Sequence, residues 1–270
     1  MLVSSCRRTV LSRNILRNPP RVIDTDQRIK YGAIHAIVAM AESAFADLTK
    51  LLAGMLDETN DATPNVEDIN RALMLAWSIV DQADLLRHLI NSESHRIKIE
   101  EKMAFVSATT DVQKVRNWMR HIPQRIKKYR AGSFPVPPIL GALSFTTVVR
   151  ARVPLMVGNV VQDADCVEYH TVILVNTAIE RATQLEGNPI PFHSFRFPID
   201  HIVLQAFGIL LPLEPLVTLM GKFADGLASS VQRWLDGKML ELAEQGADTS
   251  DLTKPAYDEG DVFRMIARRD

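Results

Sequence analysis

Cysteine is nearly absent. Cys6 and Cys166 are the only two in 270 residues. They cannot form a disulfide framework, so the expected compartment is reducing and the expected location cytoplasmic. Net charge is nearly absent too, −1 at neutral pH. No whole-molecule field draws a nucleic acid or a membrane, and any such footprint must be a local patch. Long apolar runs are missing. The longest lies near Ile202 to Leu213, where Pro212, Glu214 and Pro215 close it. It is too short to cross a bilayer, and no signal-like apolar segment follows the N-terminus, so no membrane association is expected. A Gly-rich phosphate loop, a G-x-S-x-G elbow and a CxxC pair are also missing, which removes the nucleotide, hydrolase and redox readings those motifs carry.

What is present is ordinary globular chemistry. Apolar residues make up 47% and charged residues 23%, enough for one large domain or two small ones. Residues 1–23 carry Arg7, Arg8, Arg13, Arg17 and Arg21 and no acid before Asp24, and read as a basic flexible arm, with a transit peptide or an RNA-touching arm as the alternatives. Ile34, Val38, Ala41, Phe45, Leu48, Leu52 and Met55 step by three and four and predict a helix over about 27–56. Thr63 and Pro64, with Glu67 and Asp68 in the first turn, predict the start of a second helix that runs to about Ile90. A less regular segment covers Arg96 to Phe105. Thr110 and Gln113 have capping-box spacing, and Val112, Val115, Met119, Ile122 and Ile126 give the next helix its apolar stripe.

The pattern changes after Gly132. FPVPP breaks the helix, and LGALSFTTVV, VPLMVGNVV and TVILVNTA read as strands, with Phe195-Arg196-Phe197 a further short one. Leu216, Met220, Phe223, Leu227 and Trp234 predict a closing helix over about 214–245. The expected fold class is α+β: an N-terminal helical bundle over 24–131, a small, mostly antiparallel sheet with its closing helix over 132–245, and a polar tail over 246–270.

The stretch VRNWMRHIPQRIKKYR, residues 115–130, carries the strongest hint of chemistry. On a helical wheel Arg116, Arg120, Asn117 and His121 lie in that order on an arc away from the apolar stripe. Pro123 favours a kink or break just after His121. From Lys114 to Arg130 there are seven Lys or Arg residues and no acid. Lys114, Arg120, Arg125, Lys127, Lys128 and Arg130 are therefore candidate phosphate contacts. The bland alternative is a solvated basic face balanced by acids elsewhere. Arg followed at a similar spacing by His occurs three times, from Arg28 to His35, Arg116 to His121 and Arg196 to His201. Of these, the second alone has Asn after Arg, lies in a clear helix and follows two long amphipathic helices.

Arg116-Asn117-x-x-x-His121, so placed, resembles the motif of the HEPN superfamily, helical RNases and their inactive relatives. The resemblance covers about residues 27–131. VDQADLLRHLI, VQKVRNWMRHIPQRI and GALSFTTVV together also resemble a group of uncharacterised bacterial proteins with a helical domain before a β-rich half. The HEPN resemblance implies a metal-independent endoribonuclease or RNA-binding relative that takes single-stranded RNA. Cleavage would proceed by 2′-OH attack at a composite site on a homodimer interface, without a cofactor. His121 would be general acid or base, Arg116 would hold the phosphate, and Asn117 would orient one of them. An earlier acid, Asp81 or Asp84, would orient Arg116; the two are one turn apart with His88 on the same side, and their bland reading is a surface acid pair. Pro123 stands where one toxin branch has Tyr, so control by tyrosine modification is not implied.

Two other classes stand beside the nuclease. One is a non-catalytic helical dimerisation or binding module. The other is a metal-dependent enzyme centred on DADCVEYH, residues 163–170, where Cys166, Glu168 and His170 would share one face of an extended strand. The bland reading of that stretch is a polar inter-strand loop. Trp77, Trp118 and Trp234 read as core or interface anchors, Trp118 alternatively as a platform for a base. His193 and His201 read as strand-end or packing residues.

Overall fold

The computed structural model describes residues 14–55, 65–91, 100–122, 141–157, 160–175, 199–246 and 254. The chain is α+β, with six helices and one four-stranded antiparallel sheet among the described residues. The helices are α1 (Asn14–Arg17), α2 (Thr25–Met55), α3 (Val66–Asn91), α4 (Glu100–Ala108), α5 (Thr110–Arg120) and α6 (Leu213–Glu244). The strands are β1 (Ala142–Val157), β2 (Val160–Val175), β3 (Ile199–Ala206) and β4 (Ile209–Pro212). No helix among the described residues is long and apolar enough to cross a membrane.

Local chemistry sets the helix starts. The Asp24 carboxylate accepts from the Gln27 N–H at 3.4 Å ahead of α2. Asn65 Oδ1 accepts from the Asp68 N–H at 2.7 Å ahead of α3. Asn65 is therefore the N-cap of α3; Thr63 and Pro64, expected in that role, lie outside the described residues. Glu67 and Asp68 do occupy the first turn.

The chain divides into two compact units that do not follow a single cut near residue 131. One unit joins Met1–Ala41, Gln82–Thr109 and Thr218–Asp270; the other joins Glu42–Asp81 and Thr110–Val217. In the first, Phe105 of α4 and Phe223 of α6 pack with ring centroids 5.7 Å apart, both fully buried. The α6 stripe runs Met220, Phe223, Leu227, Val231, Leu235, and Trp234 stands outside it at 50% exposure, so that tryptophan is not a core anchor. Trp77 of α3, in the second unit, is buried as one. Leu16 and Ile23 are buried, and the Arg21 N–H donates to the Lys254 carbonyl at 3.2 Å. The described part of the expected arm, from residue 14 onward, is thus packed.

In the second unit the sheet order is β2-β1-β3-β4. Register places Leu174, Leu143, Leu204 and Leu211 in one row across all four strands, and all four are buried. That row is the apolar seam of the sheet. β1 and β2 are each 16 residues long. The expected LGALSFTTVV and first part of VPLMVGNVV merge into β1. DADCVEYH lies inside β2, not in a loop, because its backbone pairs with Thr147–Pro154 of β1, which sets Arg152 opposite Asp165. The run Ile202 to Leu213, considered above only for membrane length, contains the β3–β4 hairpin. Phe195-Arg196-Phe197 lies outside the described residues.

Two backbone features shape β3. His201 has φ 53°, and the register skips between Ser144 and Thr146, so His201 and Ile202 form a bulge opposite Phe145. Gly141, which opens β1, has φ +84°, and a Cβ there would stand 2.5 Å from the Gln205 carbonyl oxygen, so only glycine fits.

Candidate functional site

Helix α5 presents the motif as its periodicity requires. Val112 and Val115 are buried, and Met119 and Ile122 are half-buried. Asn117, Arg120 and His121 are exposed. Ile126, Arg125, Lys127, Lys128 and Arg130 lie outside the described residues. The helix ends at Arg120, and His121 is the first residue beyond it, its N–H donating to the Trp118 carbonyl at 3.1 Å. That short closing bond is a tightened last turn, in keeping with a break at His121 ahead of Pro123.

The structure separates the two candidate acids. Asp81 Oδ1 is 2.7 Å from Arg116 Nε, with the side chains 40% and 28% exposed. Asp84 points elsewhere: it is 4% exposed, and its Oδ1 is 3.6 Å from Nε2 of the exposed His88. The pair is not a surface acid pair, because Asp84 is interior. Lys114, also a candidate phosphate contact, is held by Asp111 at 2.8 Å, and both side chains are half or more exposed.

Trp118 is half-buried and meets Phe207 edge-to-face, with centroids 5.8 Å apart and planes at 87°. Phe207 itself was not singled out from sequence, where a lone Phe in an apolar run carries no signal.

Arg87 was also missed. It is 8% exposed, and its Nη1 donates to the Val106 carbonyl and to Thr109 Oγ1, the latter at 2.9 Å. Thr109 Oγ1 in turn donates to the Phe105 carbonyl at 2.7 Å. A cation thus satisfies the open carbonyl end of α4. The sequence does hold a signal: Arg87 falls on the step of four and three from Ala83 to Ile90, both buried.

Among the described residues no three His, Cys, Asp or Glu side chains form a metal-sized cluster. Cys166, Glu168 and His170 occupy alternate positions of β2, and their side chains lie outside what the structure describes. No protein-family model, curated protein or solved structure matches the chain.

Proposed function

We propose that the chain is a HEPN-like, metal-independent endoribonuclease that cuts single-stranded RNA as a homodimer in the cytoplasm. The observation that supports it most is the Asp81–Arg116 pair. It ties the motif arginine to a preceding helix at 2.7 Å while its neighbours Asn117 and His121 stay exposed. A carboxylate this close holds the guanidinium beside α3 by charge. Arg116 would hold the scissile phosphate there and offset charge on the pentacoordinate transition state. His121 would take the 2′-OH proton or protonate the leaving 5′-oxygen. One chain supplies one such histidine in this motif, so acid and base come from two copies. The products would be a 2′,3′-cyclic phosphate and a 5′-hydroxyl.

A second reading is favoured by the same pair. If Asp81 does no more than neutralise Arg116, the helix binds RNA or a second copy without cutting. Incubation of the purified chain with single-stranded RNA in excess chelator, with end-group analysis, separates the two. Cyclic-phosphate ends are expected. RNA bound but left intact would establish the binding module instead. Sedimentation at micromolar concentration is expected to give a dimer, and a strict monomer would remove the composite site.

A further inference from the structure

We propose that Phe207, in the β3–β4 reversal, is a positioning residue for the α5 motif, acting through Trp118. The inference rests on the nuclease reading for its kinetic consequence and on the structure alone for its mechanical one. Phe207 and Gly208 join Ala206 to Ile209, which pair with each other. Their φ values are +57° and +79°. Two left-handed residues in a two-residue loop define a type I′ reversal. That turn favours Asn, Asp or Gly at its first position, where a bulky aromatic is strained. Gly208 meets the requirement. Phe207 does not.

The strain has a counterpart. The Phe207 ring stands edge-to-face with Trp118, centroids 5.8 Å apart, and β4 lies against α5. Trp118 follows Arg116 and Asn117 directly and accepts the His121 N–H through its carbonyl. A ring that fixes Trp118 therefore fixes the azimuth of α5 at the motif and steadies the last turn, from which His121 emerges. Asn at position 207 would suit the turn better and lose the contact. The ring strains the hairpin and gives the helix its contact.

Phe207→Asn and Phe207→Tyr, followed by hydrogen exchange and by RNA cleavage, test this. Phe207→Asn should keep β3–β4 amide protection, because Asn accepts the left-handed conformation. It should speed exchange across residues 110–122 by roughly 2- to 13-fold, the range one edge-to-face contact supplies. It should lower kcat with little change in KM, since positioning and not binding is lost. Phe207→Tyr keeps the ring and should match wild type in both. Unchanged α5 exchange in Phe207→Asn would overturn the proposal. So would loss of β3–β4 protection to the same degree as α5, or a Tyr variant as impaired as Asn. If wild type cuts no RNA, the nuclease reading fails and the exchange measurement alone decides the brace.

Discussion

Arg87 and Arg116 each tie down a helix, one at the end of α4 and the other on the outer face of α5. Arg87 is 8% exposed and gives its hydrogens to a carbonyl and a hydroxyl. Arg116 is 28% exposed and meets a carboxylate that is itself 40% exposed. The first arrangement spends its donors on closing a helix end that has no other use for them. The second keeps the charge nearer the surface, paired with an acid. A buried arginine on neutral acceptors is a structural device. A part-exposed one paired with an acid is the arrangement that the proposed function uses to hold a phosphate. On the proposed function, stability falls to one region and chemistry to the other, and each assignment can be broken by measurement.

The largest expected effect tests the chemical region. His121→Ala should lower RNA cleavage by about 100- to 10,000-fold, the usual worth of a positioned acid or base. Its urea midpoint should stay at the wild-type value, because the side chain is exposed. Loss of stability alongside activity would move His121 into the structural class.

The next effect separates the two arginines directly. Arg87→Leu leaves the Val106 carbonyl and Thr109 hydroxyl without their charged donor and should cost about 3 kcal/mol in urea unfolding. Arg116→Ala should cost about 1 kcal/mol or less, as exposed ion pairs do, and should lower cleavage about 100-fold. Reversed magnitudes would dissolve the distinction between the two arginines. The smallest effect concerns Arg120, exposed on the same arc. Arg120→Ala should flatten the salt dependence of single-strand binding by about 0.7 in log–log slope if it meets one phosphate. An unchanged slope would mean that RNA does not follow this part of the arc.

The long helices were legible because apolar stripes of period 3.6 persist over many turns, as in Ile34 to Leu52 and Leu73 to Ala83. Their caps were less so, since Thr63 and Asn65 both suit the role and only the observed bond to the Asp68 N–H decides. The β3–β4 hairpin was hidden because from Ile202 onward β3 and β4 read as one apolar run interrupted only by Gln205 and Gly208 before Pro212. DADCVEYH looked like a loop because its residue types are polar, while its strand state is set by backbone pairing with β1. At the site, the motif residues and Asp81 were readable as types and spacings. Which acid meets Arg116 was not, because a one-turn difference on α3 is settled by packing. Phe207 was unreadable for the same reason, as its role depends on a backbone angle that its residue type disfavours.

The register of the long hairpin also bears on the order in which the sheet assembles. Val157 pairs with Val160, so β1 and β2 are close in sequence and can zip without closing a long loop. Such hairpins close in about 1–10 microseconds. The pairing of Ala142 with Gln205 must instead wait for a long loop to close, at a higher entropic cost. Until β3 arrives, β1 presents an open edge that carries Leu143 and Phe145. A newly made chain therefore passes through an interval in which its own middle strand can recruit a neighbouring molecule, and dilution or slower synthesis should raise the yield of correctly assembled protein.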